Sequence, residues 1–527
     1  MSTFKILDCT LRDGGYINNW NFGYTTIKNM LKRLSNARID IIECGFLEDG
    51  QYDKNKSLFT DVDQIAQLLP ENKEATEFVA MTRYGCLDIN NLKDYDGRSI
   101  NGIRVTFHEN EAEDAIKYCR YVKEKGYKVY VQPVGTTGYT DKYLLSIIEL
   151  VNKLKPFAFY IVDTLGLMKK NDLLRIFYLI DKNLDPETII GFHSHNNLQL
   201  SFSNAQELVD LHTRRSIILD SSVHGMGRGA GNLNTELIAQ YLNDVRGHNY
   251  QISSILEIID ETINGLKVKY SWGYSVPYYL AAINNCHPNY ATYLMNRGTL
   301  SIKSIGQILQ SIPHDRRELY HEDYIQELYI QYQKHKIDDS NDIAELTTAL
   351  KEKNILVLAP GNSLKKQAEI IKKFVAEKNP VVISVNFVGN EIKSDYCFFS
   401  NNKRFERLQE KHEIENSPKL IITSNIKSNV QVHYKINYSD LLNSQPLVND
   451  NATLMLLALL IKLNVKDVYI AGFDGFQVNV TNYADDQLES DLDANVLKEK
   501  NKQITEVVKK YKSLINLNFI TESMYNV

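Results

Sequence analysis

The chain has 527 residues, of which 43% are hydrophobic, and a formal net charge of −5. Its length predicts two or three domains, and its charge gives no indication of nucleic-acid binding or of a polybasic membrane surface. No apolar stretch is long enough to span a membrane, no signal peptide is visible at the N-terminus, and six scattered cysteines are typical of reduced thiols. We therefore expect a cytoplasmic protein.

Residues 1–249 alternate short apolar runs with longer amphipathic stretches. Strict alternation of this kind predicts a parallel sheet, and eight units in this length favour a closed (β/α)8 barrel over an open sheet. In such barrels the carboxyl ends of the strands carry the catalytic residues. The eight predicted strands are 4–8, 39–43, 77–81, 102–106, 128–131, 159–163, 189–192 and 216–220.

Residues at the ends of the first and seventh predicted strands have the chemistry of metal ligands. Asp13 lies in the segment 7–15 (Leu-Asp-Cys-Thr-Leu-Arg-Asp-Gly-Gly), and His193 and His195 follow the run 189–192. Residues i and i+2 of an extended chain point to the same face, so both imidazoles can face one ion. One carboxylate and two imidazoles suit Mn²⁺, Mg²⁺, Co²⁺ or Zn²⁺ and leave coordination positions open for catalysis. Alternatively, Asp13 caps the next segment and both histidines are structural.

A glycine-rich segment at 225–236 (Gly-Met-Gly-Arg-Gly-Ala-Gly-Asn-Leu-Asn-Thr-Glu) follows the eighth predicted strand. Glycines permit unusual backbone angles and allow a ligand to approach the main chain. A plain flexible loop before a helix explains the spacing equally well.

The segment 7–14 resembles the opening signature of the DRE-TIM metallolyases, which include HMG-CoA lyases, isopropylmalate synthases and 4-hydroxy-2-oxovalerate aldolases. The segment 191–198 (Gly-Phe-His-Ser-His-Asn-Asn-Leu) resembles the metal motif of that superfamily, and the segment 220–232 is most similar to its aldolase branch. The resemblance covers residues 4–245. It implies a divalent metal, most simply Mn²⁺ or Mg²⁺, held by four residues: Asp13, His193, His195 and Asn232.

The same resemblance implies roles for three further residues. Arg12 matches an arginine that steadies an enolate, Glu43 matches a site carboxylate on the second strand, and Thr164 matches a hydroxyl residue that contacts a 2-oxo acid. The chemistry agrees, because making or breaking a bond next to a carbonyl needs a cation at the developing oxyanion and a proton acceptor.

The proton acceptor is where this chain departs from the aldolase pattern. Aldolases of the superfamily carry a histidine at the position of Tyr16, and tyrosine is a poor base at its ordinary pKa of about 10 unless its surroundings lower it. Tyr16 can instead bind substrate, and Glu43 can take the proton. Tyr274 follows the barrel in a segment where the aldolases supply a tyrosine acid/base and is a further candidate.

Residues 250–333 have a helical, tyrosine-rich pattern that predicts an appendage. Residues 334–353 are charged and polar with a helical middle at 344–350, which predicts a linker or a connecting helix. A second α/β pattern in residues 354–527, with strands at 355–358, 381–385, 420–423 and 468–472, predicts a small Rossmann-like domain with a doubly wound sheet.

A strand-to-helix turn in this second domain contains Gly361 and Ser363, and helix N-termini favour phosphate. A plain turn capped by Ser363 is the alternative. Together with the segment 451–476, which includes Asp474, the turn resembles the domain shared by family-42 sialyltransferases and the related DUF115 proteins. That resemblance implies a nucleotide or nucleotide sugar near these three residues, although no catalytic histidine for glycosyl transfer is apparent.

The first resemblance implies a metal-dependent carbon–carbon lyase, an aldolase that uses the enolate of a 2-oxo acid such as pyruvate. The second resemblance implies, by analogy, a place in bacterial surface-polysaccharide or unusual-sugar synthesis. The expected partners are the 2-oxo acid, an aldehyde or acyl acceptor, and a second copy of the chain. Two alternatives stay open: a Claisen-type synthase that uses acyl-CoA, and a non-catalytic barrel attached to a nucleotide-sugar-binding or glycosyltransferase domain.

Overall fold

The computed structural model describes residues 3–71, 76–317, 319–388, 392–410, 418–428, 430–478, 480–484 and 494–527. It divides the chain into two compact units. The first unit comprises Met1–Pro288 with His314–Leu319, and the second comprises Asn289–Pro313 with Tyr320–Val527. The stretch predicted as one helical appendage, 250–333, is therefore shared between the units. The stretch predicted as a linker contains the helix Ser340–Leu350.

The first unit contains a closed barrel of eight parallel strands. The sheet order is β1-β9-β8-β7-β6-β5-β4-β2, and β1 also pairs with β2, which closes the ring. The short strand β3 pairs only with the end of β2. This confirms the predicted (β/α)8 barrel. The strands are β1 (Phe4–Asp8), β2 (Ile41–Leu47), β3 (Leu58–Phe59), β4 (Glu77–Arg83), β5 (Gly102–Phe107), β6 (Lys128–Pro133), β7 (Ala158–Asp163), β8 (Ile189–Ser194) and β9 (Ile217–Ser221).

Helices cover the outside of the barrel, and their apolar faces explain the packing. In Asp141–Leu154 the buried residues Leu144, Ile147, Ile148 and Val151 recur at helical spacing and form one stripe. One connection departs from the predicted alternation: between β4 and β5 the chain forms only the 3₁₀ turn Ile89–Asn91. The helices of the first unit are Tyr24–Asn36, Val62–Ala66, Ala112–Glu124, Asp141–Leu154, Lys170–Asn183, Ser201–Asp210, Thr235–Arg246, Ile252–Ile258, Asn264–Lys269 and Val276–Ile283.

The second unit is built on an open parallel sheet of seven strands. Their order, β14-β13-β12-β11-β10-β15-β16, reverses direction between β10 and β15, as in a doubly wound fold. The sequence predicted four of these strands and missed three short ones, β12, β14 and β16. The strands are β10 (Ile355–Leu358), β11 (Val381–Val385), β12 (Tyr396–Phe399), β13 (Lys419–Thr423), β14 (Tyr434–Ile436), β15 (Asp467–Ala471) and β16 (Asn516–Phe519).

The most apolar helix of this unit, Ala452–Lys462, is buried on nearly every side and has only 11 residues. Across the described part of the chain, no helix combines the length and the apolar character needed to cross a bilayer. The helices that begin within the second unit or at its border are Pro288–Arg297, Ile302–Ser311, Glu322–Gln333, Ser340–Leu350, Ser363–Lys366, Ala368–Lys378, Asn402–Glu410, Ala452–Lys462 and Ala494–Lys512.

Asp8, a buried carboxyl at the end of β1, makes the stability of the barrel depend on pH. It accepts hydrogen bonds from the Thr10 amide at 3.0 Å and the Thr235 hydroxyl at 2.7 Å. Burial raises the pKa of Asp8 from 3.8 to about 6. The folded state therefore keeps a proton that the unfolded chain has released, so this group lowers the free energy of unfolding as pH rises through that window.

We therefore expect Asp8→Asn to be more stable than the native protein above about pH 7, by up to about 3 kcal/mol, and to match it near about pH 4. Urea unfolding followed by tryptophan fluorescence measures this, because Trp20 and Trp272 both lie in the first unit. The matched control is Asp260→Asn at an exposed position. Equal destabilisation of Asp8→Asn at both pH values would contradict the assignment.

Candidate metal centre in the barrel cavity

Three ligand-type residues meet at the carboxyl ends of β1 and β8. The donor atoms of Asp13, His193 and His195 all lie within 4.8 Å of one another, and all three residues are buried. The Asp13 amide donates to the carbonyl of Cys9 at 2.8 Å in the turn after β1, which directs the carboxylate inward. The structure thus brings together the triad that the sequence predicted from separate segments.

The ionisation of these residues favours a cation. Burial alone would raise the pKa of Asp13, but Arg12 and the two histidines outweigh it and hold that pKa well below its usual range. Burial lowers the pKa of His195 to about 3. At neutral pH the site therefore offers a carboxylate and a neutral imidazole, which are the protonation states that bind metal ions.

Asn232 completes a donor set that fits a divalent cation. Its amide nitrogen donates to Asp13 Oδ2 at 2.6 Å and to the Met226 carbonyl at 3.2 Å. Its buried Oδ1 has no hydrogen-bond partner in the described chain, so an oxygen ligand is available beside the triad. The residue at Gly227 must lack a side chain, because a Cβ there would lie 2.3 Å from Asn232 Nδ2 and 2.7 Å from Asp13 Oδ2. The glycine-rich loop therefore approaches the ligands closely.

Arg12 is held rigidly beside the triad. Its Nε donates to Glu43 Oε2 at 2.8 Å and its Nη1 donates to Asp13 Oδ1 at 2.6 Å. Its buried Nη2 has no partner among the described residues. Glu43 is fully buried and is not part of the cavity wall, so it positions Arg12 rather than facing a substrate.

Arg104 continues this chain of charges through the barrel interior. It lies 2.8 Å from Glu43 and also pairs with Asp220, which in turn lies 3.0 Å from His193 Nδ1. Arg104 and the structural role of Asp220 were not predicted. One signal could have indicated Arg104: it is the lone charged residue in the middle of an apolar strand of the barrel. A buried charge requires a partner.

A cavity of about 790 Å³ opens onto the triad, and its wall belongs entirely to the first unit. Arg12, Asp13, Tyr16, Thr164 and both histidines line it. Five residues that follow the barrel in sequence also line it, and no sequence pattern indicated them. They are Asn285, His287, His314, Arg317 and Leu319.

Tyr16 occupies the place at which the aldolase pattern has a histidine. Its ring packs against Trp20, with centroids 4.8 Å apart, and lies under the guanidinium of Arg228 at 5.6 Å. Burial raises the pKa of the Tyr16 hydroxyl above its ordinary value of 10, so at neutral pH it is a hydrogen-bond donor rather than a base. Thr164 Oγ1 accepts from the Gly135 amide at 2.9 Å, which leaves its proton free to donate. Tyr274 is 59% exposed and lies outside the cavity.

In the second unit, the structure brings Gly361, Ser363 and Asp474 together between β10 and β15, where the sheet reverses direction. The Ser363 amide donates to Asp474 Oδ2 at 2.7 Å, and the Ser363 hydroxyl donates to Asp474 Oδ1 at 2.5 Å. The Gly361 amide donates to the Gly472 carbonyl at 2.8 Å. A carboxylate thus already occupies the donors of this turn, and nucleotide binding there stays a prediction.

The buried position of Arg104 leads to a stability test. We expect Arg104→Met to lower the free energy of unfolding by about 3–5 kcal/mol, because Glu43 and Asp220 would lose the cation between them. Tryptophan fluorescence in urea reports this transition of the first unit. Arg175→Met, which removes an exposed pair with Asp141, is the control and should cost no more than about 1 kcal/mol. Equal losses in the two variants would contradict the proposed importance of Arg104.

Comparisons with known proteins find similarity in the first unit. Residues 3–261 match the HMGL-like family. The 4-hydroxy-2-oxovalerate aldolase of Bacillus cereus (strain ATCC 10987 / NRS 248) is 24% identical over 264 residues, covering 49% of this chain and 75% of the relative. The 4-hydroxy-2-oxovalerate aldolase 2 of Comamonas testosteroni is 25% identical over 234 residues, covering 44% and 66%.

Solved structures give similar coverage. The N-terminal domain of a candidate aldolase from Bacteroides vulgatus has a TM-score of 0.47 and 28% identity, covering 57% of this chain and 99% of that one. The HMG-CoA lyase of Brucella melitensis has a TM-score of 0.39 and 14% identity, covering 49% and 96%. About half of the present chain lies outside the match to the Bacillus cereus relative. Residues 3–261, just under half of the chain, are thus similar to the HMGL-like family.

Proposed function

We propose that the first unit is a divalent-metal-dependent aldolase that makes or breaks a carbon–carbon bond through the enolate of a 2-oxo acid such as pyruvate. The observation that carries this proposal is one cavity that joins the Asp13, His193 and His195 cluster to Arg12, whose Nη2 has no partner in the described chain. The names of the relatives, both aldolases, support the same class of reaction.

Asp13, His193, His195 and Asn232 Oδ1 would hold the metal, with Mn²⁺ or Mg²⁺ most suited to a mixed oxygen and nitrogen set that stays open. When bound, the metal polarises the carbonyl of the 2-oxo acid and so stabilises negative charge on its oxygen. Asp220 acts behind this set, because its contact with His193 Nδ1 fixes the orientation of that ring.

Arg12 supplies the second stabilising charge. Since Glu43 and Asp13 hold its Nε and Nη1, its Nη2 is fixed before substrate arrives, and pre-oriented donors need no reorganisation as charge develops. The Thr164 hydroxyl, on the cavity wall, is assigned to donate to the substrate carboxylate. Tyr16, a neutral phenol on the cavity wall, is assigned to give its proton to the oxygen of the acceptor aldehyde when the new bond forms, and to take it back during cleavage.

The direct test is hydrogen exchange at the pyruvate methyl group. With Mn²⁺ in D₂O, we expect the protein to introduce deuterium into pyruvate and EDTA to abolish the exchange. His193→Ala should remove both the exchange and the tight binding of Mn²⁺. Electron paramagnetic resonance measures this binding through the amount of Mn²⁺ that stays free in solution. His108→Ala, on the same cavity wall but outside the metal cluster, is the control for Mn²⁺ binding.

The Claisen alternative predicts a different product. A Claisen-type synthase would release thiol from acetyl-CoA in the presence of a 2-oxo acid. Thiol release without deuterium exchange into pyruvate would replace the aldolase proposal. The absence of both activities in a protein that binds Mn²⁺ would favour a non-catalytic barrel.

The assignment of Tyr16 has its own test. Tyr16→Phe keeps the ring contacts with Trp20 and removes the proton, so we expect kcat for aldol addition to fall by about 100-fold. Mn²⁺ affinity should stay within about twofold, because Tyr16 is not one of the four residues assigned as metal ligands. An unchanged kcat would remove Tyr16 from the proton path.

A further inference from the structure

We propose that the acceptor aldehyde carries an anionic group, a phosphomonoester or a carboxylate, which binds basic side chains on the outer wall of the cavity. This inference rests on the proposed aldolase function and names the substrate class of the same site. The inference depends on three arginines that line the cavity away from the metal cluster, which we call the outer wall: Arg83, Arg228 and Arg317.

The cavity is far larger than a three-carbon acid requires. Its volume of about 790 Å³ falls within the range of about 300–1,000 Å³ that is typical of sites for much bigger ligands. Pyruvate at the metal cluster would leave most of this space unfilled. The second substrate therefore has to be extended if the cavity is to enclose it.

The topology of the barrel places part of the basic wall opposite the metal cluster. His193 lies on β8, and Arg83 ends β4, four strands away around the eight-stranded ring. His108 follows β5, the neighbour of β4. A ligand that spans the cavity from the metal ligands therefore meets Arg83 and His108 at its far end.

Two of the three arginines, Arg83 and Arg228, are only weakly compensated by carboxylates of the described residues. Arg83 makes one long ion pair, 3.7 Å to Glu111. No carboxylate of a described residue lies within 4.0 Å of the Arg228 guanidinium, which packs on the Tyr16 ring. Arg317 uses its Nη1 to donate to the Asn284 carbonyl at 3.0 Å.

The acids on the same wall are engaged elsewhere. Asp13 pairs with Arg12, and Asp163 accepts hydrogen bonds from the amides of Leu167 and Met168, each at 3.0 Å. Glu48 is the remaining acid among the lining residues, so the arginines outnumber it. The outer wall is therefore positive although the whole chain carries −5, and a charged cleft of this kind concentrates ligands of opposite sign.

The segments that follow the barrel hold this wall in place. The His287 amide donates to the Arg317 carbonyl at 2.7 Å, so two distant segments of the first unit meet at the cavity. His287 is buried, and burial together with Arg228 lowers its pKa to about 3. Its imidazole therefore adds a neutral hydrogen-bonding group beside the guanidinium charges, which bind phosphate or carboxylate through paired N–H donors.

The reaction balances with such an acceptor. The methyl carbon of pyruvate loses a proton to water and forms a bond to the aldehyde carbon. The carbonyl electron pair moves to the aldehyde oxygen, which takes a proton from Tyr16, and water returns a proton to Tyr16, so no net proton is gained or lost. The product is a 4-hydroxy-2-oxo acid with an anionic group at its far end. The reverse reaction breaks the same bond and returns both substrates.

Matched aldehydes test the inference. With pyruvate and Mn²⁺, D-glyceraldehyde 3-phosphate is compared with D-glyceraldehyde, and succinic semialdehyde with butanal. We expect kcat/KM to be at least about tenfold higher for one anionic member than for its uncharged partner, mainly through KM, and the difference to shrink as salt screens the charges. The pair with the larger ratio identifies phosphate or carboxylate as the preferred group.

Variants locate the effect. Arg83→Gln and Arg317→Gln should each raise KM for the preferred anionic aldehyde by about tenfold and leave KM for its uncharged partner unchanged. Arg120→Gln removes the same charge from an exposed helix position away from the cavity and should change neither. Without metal or turnover, calorimetry should detect binding of glycerol 3-phosphate or succinate, but not of glycerol, to the native protein, and weaker binding to Arg83→Gln.

The outcomes separate this inference from the proposed function. If the native protein exchanges the methyl hydrogens of pyruvate but uses charged and uncharged aldehydes equally well, the inference is wrong and the aldolase proposal stands. If it exchanges none, the aldolase proposal is wrong and the inference falls with it. Anion binding that persists unchanged in Arg83→Gln and Arg317→Gln would place the anion elsewhere and also overturn the inference.

Discussion

Two buried arginines hold the charged residues of the barrel interior in one connected chain. Arg12 joins Asp13 to Glu43, and Arg104 joins Glu43 to Asp220, which contacts His193. Each charge in this chain is removed from water, so each depends on the neighbour that compensates it. Removing one member leaves the next one buried and unpaired, and the set is therefore stable only as a whole.

This dependence links the fold to the site. Members of the chain come from five strands or their ends, β1, β2, β5, β8 and β9, and β1 pairs with both β2 and β9. The ligands and Arg12 consequently reach their positions only when the ring is closed. The 225–236 loop satisfies a related constraint, because a Cβ at Gly227 would collide with Asp13 and Asn232. The loop therefore needs glycine where it passes the ligands.

The sequence predicted the parts of this arrangement that leave a local pattern. Alternating apolar runs predicted the eight strands, and the i, i+2 spacing of His193 and His195 predicted a shared face. Arg104 has no such pattern, because its partners Glu43 and Asp220 are far away in sequence and meet it only across the closed barrel. His287 and Arg317 were missed for the same reason. Three strands of the second unit, of three or four residues each, were also missed.

Charge is distributed differently in the inner and outer parts of the cavity. Near the metal ligands the guanidinium of Arg12 is matched by carboxylates, because those groups are buried and an unmatched charge there would destabilise the fold. At the outer wall Arg83 and Arg228 are closer to water, which compensates their charge until a ligand arrives. The inner part is therefore constrained by folding, whereas the outer part can be adapted to a substrate without cost to the barrel. We accordingly expect Arg83 and Arg228 to determine which acceptor binds. We expect the buried charged residues around Arg12 to determine the bond-making chemistry.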